Sequence, residues 1–228
     1  GRSRFKLQTL PASDFPELTA KELSEPFDLD LAALTGTVEF AISYEAARYY
    51  LNGVYMHSTD DGKLRAVATD GHRFGLVAAD CAHTVAPGII LPAKLVGLMP
   101  QGVVSFAYSD RAVRIVAQDL TIDSKLIDGS YPDYVRVIPT GNDKIVTVDN
   151  AALRAAGERV AIVSPEKGRA VKISAASGSL KFAVTGDGNA ASDEIEADFK
   201  RTRMIGSIEH MEANLLPIVF ARASNGNA

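Results

Sequence analysis

The sequence predicts an α+β protein assembled from repeated units, and three observations carry that prediction. Short β-branched or alternating runs, separated by Gly, Asp-Gly or Ser-Asp turns, dominate the chain. A smaller number of helical patterns falls among them, at matching places. The chain also echoes itself: Leu10-Pro-Ala-Ser-Asp-Phe15-Pro16-Glu-Leu18 returns 116 residues on as Leu126-Ile-Asp-Gly-Ser-Tyr131-Pro132-Asp-Tyr134, and the run from Gly62 to Thr69 returns at the same offset from Gly178 to Thr185. A third echo, Ala32-Ala-Leu34 against Ala151-Ala-Leu153, is offset by 119, as a loop of changed length requires. A repeat of this length is the size of a small domain and far longer than a solenoid unit. Residues 1–20 are therefore expected to be the tail of one copy, 27–139 a complete copy, and 143–228 an incomplete copy whose tail diverges from about residue 200.

Taken in order, the alternation in Arg4–Thr9 predicts a strand, and Thr19–Pro26 reads as the linker into the complete copy. Asp30 to Ser43 is the first helix, because Leu31, Leu34, Val38 and Ile42 fall on one face. Pro92 to Met99 is the second, with proline in the first turn. Val103–Tyr108, Ala112–Ala117 and Leu120–Ser124 are strands, and Thr140–Asp143 is the linker out. The next copy offers the same helices: Asp149 to Val163, with Leu153, Ala156, Val160 and Val163 at helical spacing, and a second one at Ile208, Met211 and Leu215. Between them Ala170–Ser174 is a strand. Each unit then alternates strands and helices, with the helices on one face of antiparallel sheet.

Composition sets limits. At 228 residues, 46% hydrophobic and 23% charged, the chain can bury two modest cores. A net charge of −4 argues against a uniformly basic nucleic-acid coat but not against a local basic stripe. One cysteine, Cys81, excludes an intramolecular disulfide framework and a cysteine-based zinc site, and favours a reducing compartment. No apolar run approaches the length of a membrane span and no signal peptide is legible, so the expectation is a cytoplasmic protein.

Thr69-Asp-Gly-His-Arg73-Phe74 puts an Asp and a His two residues apart, which could serve hydrolysis or a metal. Neither a nucleophile nor further ligands are legible, and Asp-Gly at a strand end is more simply a tight turn. The hydrolase built on Asp70 and His72 stays as an alternative. Gly186-Asp-Gly-Asn189 lacks the spaced oxygen ligands of a calcium loop and reads as a turn. Arg48-Tyr49-Tyr50-Leu51-Asn52-Gly53 sets a cation and two aromatics just beyond the first helix. Read as a strand, it would bury one tyrosine and expose the other; the functional alternative is contact with a nucleic-acid backbone. Arg154, Arg159, Lys167 and Arg169 cluster similarly in the next copy.

Together with Gly1-Arg-Ser-Arg-Phe5, Thr9–Pro16, Val67–Arg73, Ser124–Gly129, Tyr131–Tyr134, Arg136–Pro139 and Ile162–Lys167, these segments resemble the bacterial DNA polymerase III beta subunits, the sliding clamps, over residues 1 to about 199. The resemblance implies tandem clamp domains, with antiparallel sheets outside and helices on the inner face of a ring made by two protomers around duplex DNA. It implies no catalysis, no cofactor and no metal. It maps a groove for short partner peptides onto Leu51, Thr69, Gly71, His72, Arg73, Phe74, Pro132, Arg136 and Val137, with Phe74 bulkier than the aliphatic residue usual there. DNA-contacting positions fall on Arg48, Tyr49, Tyr50 and Lys94, and subunit-interface positions on Phe5, Leu7, Ile162 and Val163. The partners implied are duplex DNA without regard to sequence, the polymerase III catalytic subunit, the clamp loader and other peptide-bearing proteins. Most of a first domain is expected to be missing, so the chain alone is expected to be a monomer or an ill-defined aggregate rather than a closed ring. A peptide-binding adaptor that does not encircle DNA is the corresponding alternative.

Overall fold

The computed structural model describes residues 2–14, 22–138, 145–163, 171–176, 178–186, 188–200 and 213–214. Contacts divide the chain into two units that part between Tyr131 and Pro132.

The first unit runs β1 (Phe27–Leu29), α1 (Leu31–Gly36), β2 (Gly53–Ser58), β3 (Lys63–Thr69), β4 (Phe74–Asp80), β5 (Ile89–Pro92), α2 (Ala93–Val96), β6 (Val104–Tyr108), β7 (Ala112–Ala117) and β8 (Leu120–Lys125). The strands form two antiparallel sheets, ordered β4-β3-β2-β5 and β1-β6-β7-β8. Leu31 and Leu34 of α1, Leu95 and Val96 of α2, Met56 and Leu64 of one sheet, and Phe106, Val113 and Ile115 of the other share a single buried core. Helices this short are marginal by themselves, so packing against the sheets is what stabilises them.

Helix α1 begins because the Asp30 carboxylate accepts a hydrogen bond from the Ala33 amide at 3.0 Å. It is shorter than its apolar period predicts. The hydroxyls of Thr35 and Thr37 donate back to the carbonyls of Leu31 and Ala33, at 2.8 Å each, where Gly36 and β-branched neighbours weaken the helix. The chain continues as a 3-10 turn at Glu39–Ala41, yet Leu31, Leu34, Val38 and Ile42 are all buried as the period requires. Val38 meets the start of β4 so closely that a Cβ on Gly75 would lie 3.0 Å from the Val38 Cβ. The second helix is also shorter than expected: Pro92 closes β5, paired with Gly53, and α2 covers only Ala93–Val96.

The outer ladder carries its own register lock. Arg114 and Asp123 face each other across β7 and β8 and form a bidentate pair at 2.7 and 2.8 Å.

The second unit contains β9 (Ile145–Thr147), α3 (Asn150–Ala161), β10 (Lys172–Ala176), β11 (Ser179–Gly186), β12 (Asn189–Glu196), β13 (Asp198–Lys200) and β14 (Ala213–Asn214). Its sheets are ordered β12-β11-β10-β14 and β13-β9. Ala156 and Val160 of α3 are buried with Leu180, Phe182, Val184 and Ile195, while Leu153 and Val163 pack partly buried against them, so the helical period read from the sequence is the one observed. The Asp149 carboxylate caps α3 through the Ala152 amide at 2.8 Å, repeating the bond that starts α1. Likewise β3 and β11 each follow a glycine with positive φ, Gly62 at 76° and Gly178 at 84°.

One expected strand is absent: residues 2–11 have no regular structure, and the alternation in Arg4–Thr9 meets no partner strand among the described residues. Alternation alone does not make a strand, since the ladder supplies its hydrogen bonds. The expected strand at Ala170–Ser174 is observed at Lys172–Ala176. Of the linker Thr19–Pro26, Ser24 is bonded to Tyr108 from both sides, its amide donating to the Tyr108 carbonyl at 2.7 Å and its hydroxyl accepting from the Tyr108 amide at 3.2 Å. The expected linker Thr140–Asp143, the helix at Ile208, Met211 and Leu215, and Ala170 lie outside the described residues.

Replacing the cap, Asp30→Ala, should lower the stability of the first unit by about 1 kcal/mol, and Asp149→Ala the second unit by a similar amount. Urea midpoints read for each variant check this; unchanged midpoints would show that the caps carry no weight.

Candidate functional site

The link between β3 and β4 is built by its own side chains. Asp70 turns back so that one carboxylate oxygen accepts from the amides of His72 and Arg73, at 2.8 and 2.7 Å, while the other takes the Arg73 guanidinium at 3.0 Å. Thr69 closes the other side: its hydroxyl donates to the Arg73 carbonyl at 2.7 Å and accepts from the Gly71 amide at 3.1 Å. Gly71 sits at φ +87°, a conformation that favours glycine. The result is a turn braced by its own hydrogen bonds that leaves the side chains of His72 and Arg73 in solvent, while Phe74, which follows it, and Leu51 are buried. Burial alone would raise the Asp70 carboxyl, but the two amides and the guanidinium more than offset it and hold it below the usual carboxylate range. Both oxygens of this carboxylate are engaged by the amides and guanidinium of the turn itself, so Asp70 builds a tight turn as the Asp-Gly pair predicts.

Behind the turn lies the Arg48–Tyr50 segment. It is not a strand: Ala46–Leu51 forms a kinked 3-10 helix, in which side chains leave on three sides rather than two. The Glu45 carboxylate holds Arg48 through two hydrogen bonds, at 2.9 and 2.7 Å, which draws the Glu45 pKa below its ordinary range. The same guanidinium lies over Gly71, where an added Cβ would approach Arg48 Nη1 to 2.6 Å. Tyr49 is 53% exposed and meets Tyr50 edge-on, with ring centroids 5.8 Å apart. Lys94 is exposed on α2 and follows Ala93, whose amide bonds to the Asn52 carbonyl at 3.0 Å, so it lies beside the end of the 3-10 segment. Sequence reading missed Glu45 and the 77% exposed Tyr44; the spacing of Glu45 three residues before Arg48 was the available signal.

In the second unit Pro132 is exposed and Tyr134–Val137 forms a 3-10 turn with Tyr134 buried. Arg136 pairs with Asp133 at 2.8 Å, and Val137 is exposed. On α3, Arg154 pairs with Glu158 at 2.8 Å and Arg159 with Asp193 at 2.6 Å; Lys167 and Arg169 lie outside the described residues. Ile162 caps α3 with its side chain exposed, whereas Val163 packs on the second core. Phe5 and Leu7 are 87% and 82% exposed in the irregular first segment. Among the described residues no group of His, Cys, Asp or Glu could hold a metal, and no helix is long and apolar enough to cross a membrane.

Residues 28–133 match the central domain of the DNA polymerase III beta subunit, and residues 135–210 match its C-terminal domain. The chain belongs to this beta subunit family. It is 41% identical over 214 residues to the beta sliding clamp of Caulobacter vibrioides, covering 87% of this chain and 58% of that one. It is 39% identical to the beta sliding clamp of Pseudomonas putida, with 88% and 58% covered. Among solved structures, the Caulobacter crescentus beta sliding clamp superposes with a TM-score of 0.81 at 40% identity, covering 88% of this chain and 57% of that one. The DNA polymerase III beta subunit of Pseudomonas aeruginosa gives 0.79 at 36% identity, with 89% and 58% covered. The chain thus spans a little under three fifths of these relatives. The α+β class, with antiparallel sheets and few helices, is that of the family.

Because Asp70 has a depressed pKa in the folded protein, the stabilisation it gives the beta-subunit turn is present above the unfolded value and is lost as pH falls through the lower folded one. Titration followed by NMR should place its midpoint below the ordinary value of 3.8, with the His72 and Arg73 amides shifting in the same window. A midpoint at or above that value would show that the amide bonds do not hold the carboxylate.

Proposed function

We propose that the chain forms the central and C-terminal part of a DNA sliding clamp, a non-catalytic tether that keeps the replicative polymerase on duplex DNA in the cytoplasm. The observation that supports this most is the placement, in one unit of a beta subunit, of an exposed rigid turn at Thr69–Phe74 directly over a basic, aromatic segment at Arg48–Tyr50. The two elements suit the two jobs of such a tether. Arg48, Tyr49, Tyr50 and Lys94 offer charge and ring faces that contact a phosphate backbone without reading bases. A closed ring retains DNA by topology, so these contacts need only be weak and sensitive to salt.

Leu51, Thr69, Gly71, His72, Arg73 and Phe74 of the first unit are the proposed contacts for an extended peptide with apolar anchors, and Pro132, Arg136 and Val137 of the second unit are proposed contacts of the same kind. The buried Leu51 and Phe74 would give it an apolar floor, and His72 and Arg73 a polar rim. Peptides of this kind are the proposed route by which the polymerase III catalytic subunit, the clamp loader and other proteins attach. Phe5, Leu7, Ile162 and Val163 are the proposed subunit contacts of the two-protomer ring; three of them present large apolar side chains to solvent in this chain. The mechanism calls for no cofactor.

Isothermal calorimetry with an extended, apolar-anchored peptide should give roughly micromolar affinity, about −8 kcal/mol. His72→Ala combined with Pro132→Ala should weaken it by about ten-fold or more, one factor of ten being about 1.4 kcal/mol; unchanged affinity would place the groove elsewhere.

Binding to linear duplex should be weak, indifferent to sequence and lost between low and physiological salt. A footprint at one preferred sequence that persists in high salt would sink the clamp reading.

A further inference from the structure

We propose that Gly129 is a positioning residue for DNA contact: its bare Cα is the seat on which the side chains of Tyr49 and Tyr50 rest. The inference builds on the reading of those tyrosines as duplex contacts. A Cβ added at Gly129 would lie 3.1 Å from the Tyr50 Cβ, 3.4 Å from Tyr49 Cε2 and 3.8 Å from the Tyr50 Cα. The first of these is inside ordinary van der Waals separation.

Two common reasons for a glycine do not apply here. Gly129 does not have a positive φ, so its backbone conformation is open to alanine. It is also exposed and belongs to neither buried core, so packing of the interior does not demand it. What remains is the space the two tyrosines occupy.

The seat is itself held firmly. The Leu126 amide bonds to the Arg111 carbonyl at 2.8 Å and the Ile127 amide to the Ile90 carbonyl at 3.0 Å, so the segment entering Gly129 is tied to the bend between β6 and β7 and to β5. Two residues beyond, the Tyr131 ring stacks on Tyr55 of β2, with centroids 4.8 Å apart and planes within 5°. A glycine clamped on both sides cannot retreat from an added methyl; the tyrosines must move instead. Contacts of side chains with a ligand depend on placement to within about 0.5 Å. Gly71 supports Arg48 in a comparable way, but its positive φ confounds steric and backbone effects there, and Gly129 separates them.

The test compares four forms of the chain by fluorescence anisotropy on a labelled duplex at low salt: parent, Gly129→Ala, the Tyr49→Ala/Tyr50→Ala pair, and all three substitutions together. Gly129→Ala should weaken binding by roughly three-fold or more, with an unchanged thermal midpoint and an altered near-ultraviolet tyrosine dichroism. In the Tyr49→Ala/Tyr50→Ala background the same substitution should change nothing further. If the tyrosine pair weakens binding and Gly129→Ala does not, the seat is refuted while the DNA reading stands. An equal loss in both backgrounds would also refute it, since alanine keeps the Cβ at position 50 and the glycine would then act without the tyrosine rings. Unaltered binding by the tyrosine pair would overturn the DNA reading and this inference together.

Discussion

The close approach of Val38 to Gly75 is the constraint from which the first unit's surface follows. Helix α1 is only six residues long and its continuation is a 3-10 turn, so neither could hold a position unaided. Packed against the first residues of β4, they fix where that strand starts, and the strand start fixes the Thr69–Phe74 turn one residue earlier. The segment that leaves the 3-10 turn, Ser43 onward, is anchored at once by the bond between the Ser43 amide and the Leu51 carbonyl at 3.1 Å. The Val38–Gly75 contact, the β3–β4 ladder and the Ser43–Leu51 bond together tie both exposed elements, the turn and the Arg48–Tyr50 segment, to one core. This is why side chains that touch solvent can keep a defined relation to each other.

How much of this the sequence disclosed depends on the range of the interaction involved. Local chemistry was legible: Asp149 followed by an apolar period specifies α3, and the hairpin turns around β6, β7 and β8 specify those strands. The burial of Leu31, Leu34, Val38 and Ile42 was legible too, although their backbone is not one helix. Threonine hydroxyls and a glycine ended α1 early, while the core still demanded the same side chains. Arg4–Thr9 failed because a strand is defined by a partner, which no local pattern contains. For the candidate site, the Asp70 turn could be read from Asp-Gly, and the kinship of the motifs pointed to Arg48–Tyr50. The tyrosine support at Gly129 could not be read, since it joins residues far apart in the chain through a missing methyl. Arg48–Tyr50 reads as a strand because aromatic residues favour strands, whereas the chain there forms a kinked 3-10 helix.

Electrostatically, the surface is less basic than its arginines suggest. Arg48, Arg73, Arg114, Arg136, Arg154 and Arg159 each lie within 3.0 Å of a carboxylate oxygen. Exposed pairs of this kind add little to stability and are screened by salt. Their effect is on availability: the charge is present but occupied. Lys94 differs, having no carboxylate within ion-pair range among the described residues.

The Glu45–Arg48 pair has a consequence for motion. A cation that already owns a resident anion gains little by taking a phosphate, because it must give up a bidentate partner to do so. It can equally return to that partner when the phosphate leaves, without a bare guanidinium in between. Exchange between two nearly equivalent anions has shallow wells and low barriers. On the proposed tether, a surface built this way would resist being pulled off a phosphate backbone only weakly at each point and would drag only weakly along it, in the manner of a lubricated bearing rather than a brake.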